Sequence, residues 1–183
     1  MIITEFPRDL LMTGAIFGLA AFVWTGWAQE RPPRHRIWRV ILGGLTLCGA
    51  ALAAVTVPAA ISNWTAPTAL DFDGPAFVWY SVVFWLEVAA IIGLVVLASR
   101  RKRGDLIAPL VLAVVGIHFI PLAWVFSQPV FAVTGAVLTA VAIFAGLVPS
   151  AAAARSFWCG LLGGGTLLIV GTVCAVAGFG ALG

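Results

Sequence analysis

The sequence predicts an all-α integral membrane protein, built as a compact bundle of six transmembrane helices with short loops. Two observations lead to this fold class. Of the 183 residues, 62% are hydrophobic and only 9% are charged, whereas a soluble domain is about 25% charged. The mean hydropathy is +1.12, and a chain of this size cannot enclose that much apolar surface in a core of its own. Lipid must cover the remainder, so membrane lipid is the first partner that the composition implies.

The length of the apolar segments gives the number of helices. A helix needs about 20 mostly apolar residues to cross the hydrocarbon core of a bilayer. Six segments meet this requirement: 9–28, 37–61, 75–99, 106–126, 129–148 and 157–180. Their connections are too short to hold a soluble domain, so residues 1–183 are expected to form a single transmembrane domain.

Residues that favour helix starts mark several of these boundaries. Asp9 is expected to begin the first helix and Asp105 to cap the fourth, because a carboxylate can accept hydrogen bonds from the free backbone N–H groups of a first turn. Pro75 and Pro129 are expected at the first positions of the third and fifth helices. At that position a backbone N–H has no partner within the helix, so the absence of this group in proline costs nothing.

The distribution of basic residues predicts how the bundle crosses the membrane. Lysine and arginine concentrate in the cytoplasmic loops of membrane proteins. Nine of the ten basic residues fall in the first, third and fifth loops: Arg31, Arg34, Arg36, Arg39, Arg100, Arg101, Lys102, Arg103 and Arg155. These loops are predicted to be cytoplasmic and both termini outside, in the cytoplasmic membrane of a bacterium. Charges placed in this way orient a membrane protein, so the net charge of +3 does not imply a nucleic-acid partner.

Glycines recur on one face of the first and last helices. Gly14 and Gly18 form a GxxxG pattern, and Gly164, Gly171 and Gly178 follow one another every seven residues. Small residues let helix backbones approach closely inside a membrane. We expect these faces to pack helices within the chain, and a homo-oligomer through the same faces is the alternative.

Glu87 lies inside an apolar run, in the stretch FVWYSVVFWLEVAA. At about 1.5 Å per residue it lies about 18 Å from the start of its helix, near the middle of a core about 30 Å thick. A carboxylate there costs roughly 2.5–3.5 kcal/mol, which marks a candidate site. Tyr80 and Phe84 share its helix face and Trp85 lies at similar depth. An acid among aromatic rings could bind an organic cation, through its charge and through cation–π attraction.

His118 is the second candidate, in the stretch VVGIHFIPLAW of the fourth helix. Its depth differs from that of Glu87 by only about 6 Å, and neighbouring helices joined by a short loop should pack together. The two are therefore predicted to form a pair that can bind protons. Pro121 removes one helical hydrogen bond, and Gly116 lies on the turn before it, so these two residues predict a kink beside the histidine.

Three functions remain open at this point. The first is a proton- or cation-coupled transporter or channel with a small cationic or proton-coupled substrate. The second is a non-catalytic subunit or receptor-like bundle in which the pair is structural, and the third is an intramembrane enzyme acting on lipid. The sequence contains no nucleotide-binding loop, no metal or haem spacing and no hydrolase motif. Catalysis is therefore less favoured, and neither a cofactor nor a metal is predicted.

Overall fold

A computed structural model describes residues 2–70, 72–151 and 153–183, and within these ranges it contains helices and no strand. Six helices are long and apolar enough to cross a membrane, which confirms the predicted class and the number of such helices. They are α1 (Pro7–Trp27), α2 (Ile37–Ser62), α3 (Pro75–Arg100), α4 (Ile107–Val125), α5 (Pro129–Leu147) and α6 (Arg155–Leu182). Short 3-10 turns follow α1 and precede α4: Ala28–Glu30 and Gly104–Leu106.

Two helix starts differ from the predicted positions. α1 begins at Pro7 and has Asp9 in its first turn, because the fixed φ of proline already suits the first helical position. Asp105 lies in the 3-10 turn before α4 and does not cap that helix. Its carboxylate instead forms an ion pair with the arginine at the start of α6. Pro75 and Pro129 begin α3 and α5 as predicted.

α1 lies between α2 and α6 and packs closely against both. A Cβ on Gly18 would lie 2.8 Å from the backbone nitrogen of Ala53 in α2, and a Cβ on Gly14 would lie 3.0 Å from the Cβ of Ala175 in α6. The three predicted packing glycines of α6 all face α1: Gly164, Gly171 and Gly178. These faces are occupied by helices of the same chain. A homo-oligomer, which stays a prediction, would have to use other faces.

α6 contains a π-helical segment, Cys159–Gly164, between its α-helical parts Arg155–Trp158 and Gly165–Leu182. A Cβ on Gly160 would collide with the carbonyl oxygen of Trp24 in α1. The glycines of this segment therefore let the two backbones touch. Such π-helical insertions are rare and are found frequently at functional sites.

α3 is the least covered of the six helices. It packs chiefly against α4, and among its residues, all of which the structure describes, only Ala98 is fully buried. A helix that is apolar all round but uncovered by protein requires a lipid environment. This arrangement leaves a gap between α1 and α3, and the candidate site lies there.

The connection between α2 and α3 is fastened to the start of α1. The Arg8 guanidinium lies 4.6 Å from the centre of the Trp64 ring and donates to the carbonyl oxygen of Trp64. The Asp9 carboxylate accepts hydrogen bonds from the Thr68 hydroxyl at 2.6 Å and the Ala69 N–H at 2.7 Å. Both side chains are almost fully buried, so this end of the bundle is closed by charged groups that satisfy one another.

Candidate functional site

The structure brings Glu87 and His118 together. Nδ1 of His118 lies 3.3 Å from Oε2 of Glu87, and the two side chains are only 11% and 15% exposed respectively. The orientation is not that of a hydrogen bond, and Nδ1 is a buried nitrogen without a hydrogen-bond partner in the described part of the chain. The backbone of Val83, one turn before Glu87, is a second polar neighbour of the imidazole.

The pairing follows from the way α3 and α4 pack. The two helices are antiparallel neighbours joined by a short turn, so a residue midway along α3 lies opposite the C-terminal half of α4. Depth therefore places Glu87 level with His118, as the sequence predicts. Only the rotation of each helix about its axis decides that the two side chains face one another.

The pair lies in a cavity of about 510 Å³, here called the aromatic cavity. It runs along α1 between α3 and α4, with α5 and α6 behind it. Its aromatic and charged lining residues are Arg8, Asp9, Phe17, Trp24, Trp64, Phe72, Phe77, Tyr80, Phe84, Glu87, His118, Phe119, Phe126 and Phe131. Ligand pockets are typically about 300–1,000 Å³ and mostly apolar, with a few polar groups that fix orientation. The aromatic cavity has that character.

Two of the predicted aromatic residues lie on the wall of this cavity. Tyr80 and Phe84 stack on one another, with ring centres 6.4 Å apart and an angle of 19° between the planes. Tyr80 also meets Phe126 of the α4–α5 connection edge to face, at 5.9 Å. The α3 wall thus presents ring faces on the same side as Glu87, because residues spaced by three or four share a helix face.

Trp85 lies elsewhere. Its side chain is 66% exposed and lines a shallow groove on the outer side of α3 rather than the aromatic cavity. A shift of one residue from Phe84 turns the side chain by about 100° around the helix. Depth alone, which the sequence gives, could not separate these two neighbours.

Gly116 and Pro121 also lie outside the lining of the cavity. A Cβ on Gly116 would lie 2.7 Å from the backbone nitrogen of Thr139, so this glycine serves the close contact between α4 and α5. Pro121 is on an exposed face of α4, and the helix continues through it to Val125. The structure thus gives Gly116 a role in helix packing, and a kink at Pro121 stays a prediction.

No pattern in the sequence singled out the rings on the far wall. Phe17 of α1, Phe119 of α4 and Phe131 of α5 are buried and pack on one another, with Phe17 and Phe119 edge to face at 5.1 Å. Phenylalanines in apolar helices are common, and nothing in their spacing marks a shared cavity. Only proximity to a polar candidate could have pointed to one of these rings. Phe119 has that proximity, because it follows His118 directly in the sequence.

The fold and the site define a polytopic helical membrane protein with a polar pair inside an aromatic cavity. Comparison with known proteins finds no matching family model, no matching curated protein and no matching solved structure. The chemistry of the cavity is therefore the basis on which a function can be proposed.

Proposed function

We propose that this protein is a small transporter of lipophilic organic cations, with Glu87 as the counter-ion of the substrate and His118 as its proton partner. One observation carries the proposal: Glu87 and His118 lie 3.3 Å apart and line one aromatic cavity. Acidic residues inside membrane helices are rare and mark substrate or proton pathways when they face a cavity.

The substrate class follows from the lining. A cation over the face of an aromatic ring is attracted by the ring quadrupole, by about 2 kcal/mol or more when water is excluded. Tyr80 and Phe84 present ring faces beside the Glu87 carboxylate. An organic monocation with an apolar body would satisfy the carboxylate with its charge and the rings with its surface. A strongly hydrated metal ion would gain little from such a lining.

The pairing supports an exchange of the cation for a proton. A protonated His118 neutralises Glu87, and an organic cation bound at Glu87 does the same. Two positive charges at this depth would repel one another across a few ångströms. The cation and the proton therefore compete for one carboxylate, and binding of the first releases the second. We expect cation binding to weaken as the pH falls, because protons then occupy the pair.

The substrate is expected to enter from the bilayer. Ile16 of α1 and Phe84 of α3 line the aromatic cavity, yet remain 52% and 39% exposed. α1 and α3 make few direct contacts, so the cavity opens sideways between them. Arg8, whose guanidinium lies beside Asp9 and over Trp64, closes the end of the cavity near the start of α1.

The structural alternative is favoured by one observation, namely that the pair lies at the main contact between α3 and the rest of the bundle. In that case Glu87 and His118 would only hold α3 in place. The geometry is poor for such a role, because a nitrogen buried without a hydrogen bond reduces stability. The two functions differ in their response to the loss of the negative charge.

Substitution Glu87→Gln separates them. It keeps the size of the side chain and removes the charge that would bind the cation. In purified protein, fluorescence anisotropy of ethidium, an aromatic monocation, should report binding to the unmodified protein and its loss in the variant. In proteoliposomes with a trapped pH dye, only the unmodified protein should release protons when ethidium is taken up.

The matched control is Glu5→Gln, which removes an exposed carboxylate outside the aromatic cavity. It should bind ethidium like the unmodified protein. A Glu87→Gln variant that binds ethidium normally but melts at a different temperature would refute the transport proposal and support the structural one.

A further inference from the structure

A second cavity lies at the other end of the bundle, and we call it the polar pocket. It measures about 420 Å³ and its charged lining residues are Glu30, Arg31, Asp105 and Arg155. Asp105 pairs with Arg155, and the Glu30 carboxylate accepts a 2.8 Å hydrogen bond from Ser156. This is the end at which the basic loops predict the cytoplasm.

The two cavities occupy the same seam between α1, α4 and α6. On α1, Trp24 lines the aromatic cavity and Trp27 lines the polar pocket. On α4, Val115 lines the first and Ala108 the second, and these positions are about 10 Å apart along the helix. The cavities therefore follow one another along a single line through the bundle.

A thin layer of side chains separates them. Trp24 and Trp27 stack with ring centres 5.5 Å apart and an angle of 22°. Leu112 lies midway between Ala108 and Val115 and is fully buried. These three residues form what we call the septum. These side chains are predominantly apolar, and an ion passing between them would lose its hydration at a large cost.

The π-helical segment of α6 rests directly on the septum. A Cβ on Gly163 would lie 3.1 Å from both methyl groups of Leu112, and a Cβ on Gly164 would lie 3.3 Å from the Cβ of Trp24. In a π-helix each hydrogen bond spans five residues, whereas in an α-helix it spans four, so the segment contains an additional residue. Its conversion to α-helix, or its shift along α6, would change which atoms support Leu112 and Trp24.

We infer that the polar pocket is the inner vestibule of the transport pathway that begins at Glu87, and that Trp24, Trp27 and Leu112 form the gate between them. The inference rests on the proposed transport function. Glu30 and Asp105 then offer carboxylates to a cation that has left Glu87. Without the cation, Asp105 pairs with Arg155 and Glu30 accepts a hydrogen bond from Ser156. The segment Cys159–Gly164 is the element that opens and closes the gate.

The experiment measures proton leakage across proteoliposomes under an imposed membrane potential, with a pH dye inside. The variant Leu112→Ala shortens a septum side chain and should raise the leak several-fold. Leu42→Ala is the matched control, because Leu42 is also fully buried but belongs to a separate hydrophobic cluster with Phe157 and lines neither cavity. Its proton leak should equal that of the unmodified protein. A single symmetrical peak in size-exclusion chromatography establishes that each variant is folded.

Trp24→Ala is the second test of the gate. If Leu112→Ala fails to fold, the proton leak of Trp24→Ala tests the inference in its place. Folded septum variants that leak no more than Leu42→Ala would overturn the inference. Ethidium binding in detergent tells the two proposals apart. Normal Glu87-dependent binding without any leak refutes the gate alone, whereas a leak without such binding refutes the proposed transport of cations alone.

Discussion

The threonines of the six helices and His118 differ in how their polar atoms are satisfied. The eight helical threonines each donate a hydrogen bond to the carbonyl four residues earlier, as is usual for hydroxyls in apolar helices: Thr13, Thr25, Thr46, Thr56, Thr134, Thr139, Thr166 and Thr172. His118 differs, because its buried Nδ1 faces Glu87 without forming a hydrogen bond. The imidazole therefore faces a neighbouring helix, whereas the threonine hydroxyls bond to their own.

Phe84 and Trp85 offer a test of the aromatic wall at the residue scale. Phe84 lines the aromatic cavity, whereas Trp85 is 66% exposed outside it. Phe84→Ala should weaken ethidium binding by about tenfold, which corresponds to the loss of one cation–π contact of about 1.4 kcal/mol. Trp85→Ala removes a larger ring from the next position and should leave the affinity unchanged. Equal effects of the two substitutions in a fluorescence titration would contradict the assignment of the wall.

Whole helices differ in how firmly the bundle holds them. α1 is fixed on two sides by glycine contacts with α2 and α6, and Thr25 also shares a 2.9 Å hydrogen bond with Thr46 of α2. α3 has one principal neighbour, α4. Elements with few packed contacts open most readily. α3 is therefore the helix expected to move when a substrate enters between it and α1.

The contact between α1 and α2 predicts opposite effects for two glycine substitutions. Gly18→Ala places a methyl group 2.8 Å from the backbone of α2, and such overpacking costs about 1–3 kcal/mol. Gly44→Ala, in α2, meets no atom within 4 Å, and alanine there favours the helix by about 0.5–1 kcal/mol. Thermal unfolding in detergent should show a lower midpoint for the first variant and an equal or higher midpoint for the second. A stabilised Gly18→Ala variant would show that α1 and α2 are not in close contact.

At the scale of the whole molecule, the two ends of the bundle have different chemistry. One end is closed by the contacts of Arg8 and Asp9 with the α2–α3 connection and by the Gln128 carboxamide, which hydrogen-bonds both backbone groups of Ile3. The other end carries the charged polar pocket and nine of the ten basic residues. Transport by the proposed route would run from the aromatic cavity to the polar pocket at the second end.

The orientation of the bundle can be measured by cysteine labelling in intact bacterial cells. In a Cys48→Ala background, Ile2→Cys and Ala181→Cys should react with a membrane-impermeant maleimide, since both termini are predicted outside. Lys102→Cys should react only after the membrane is permeabilised. Labelling in the reverse order would invert the orientation and with it the predicted direction of transport.

Composition and segment length were enough to predict the number of helices and the position of the polar pair along them. Six apolar segments of sufficient length specify six helices, because a membrane leaves no other way to satisfy their backbone groups. Ionisable side chains are rare inside such segments, and this singled out Glu87 and His118. The rise per residue of a helix then placed the two at a similar depth. None of these properties depends on how one helix is rotated against another.

The packed bundle shows how each helix is rotated about its axis. It placed Phe84 in the aromatic cavity and Trp85 outside it, and it assigned Gly116 to the contact with α5. The sequence could not give these results, because the helices are apolar on every side and periodicity then defines no inner face. The rotation is set by close contacts such as that between Gly18 and Ala53, in which the shapes of two distant segments must fit together.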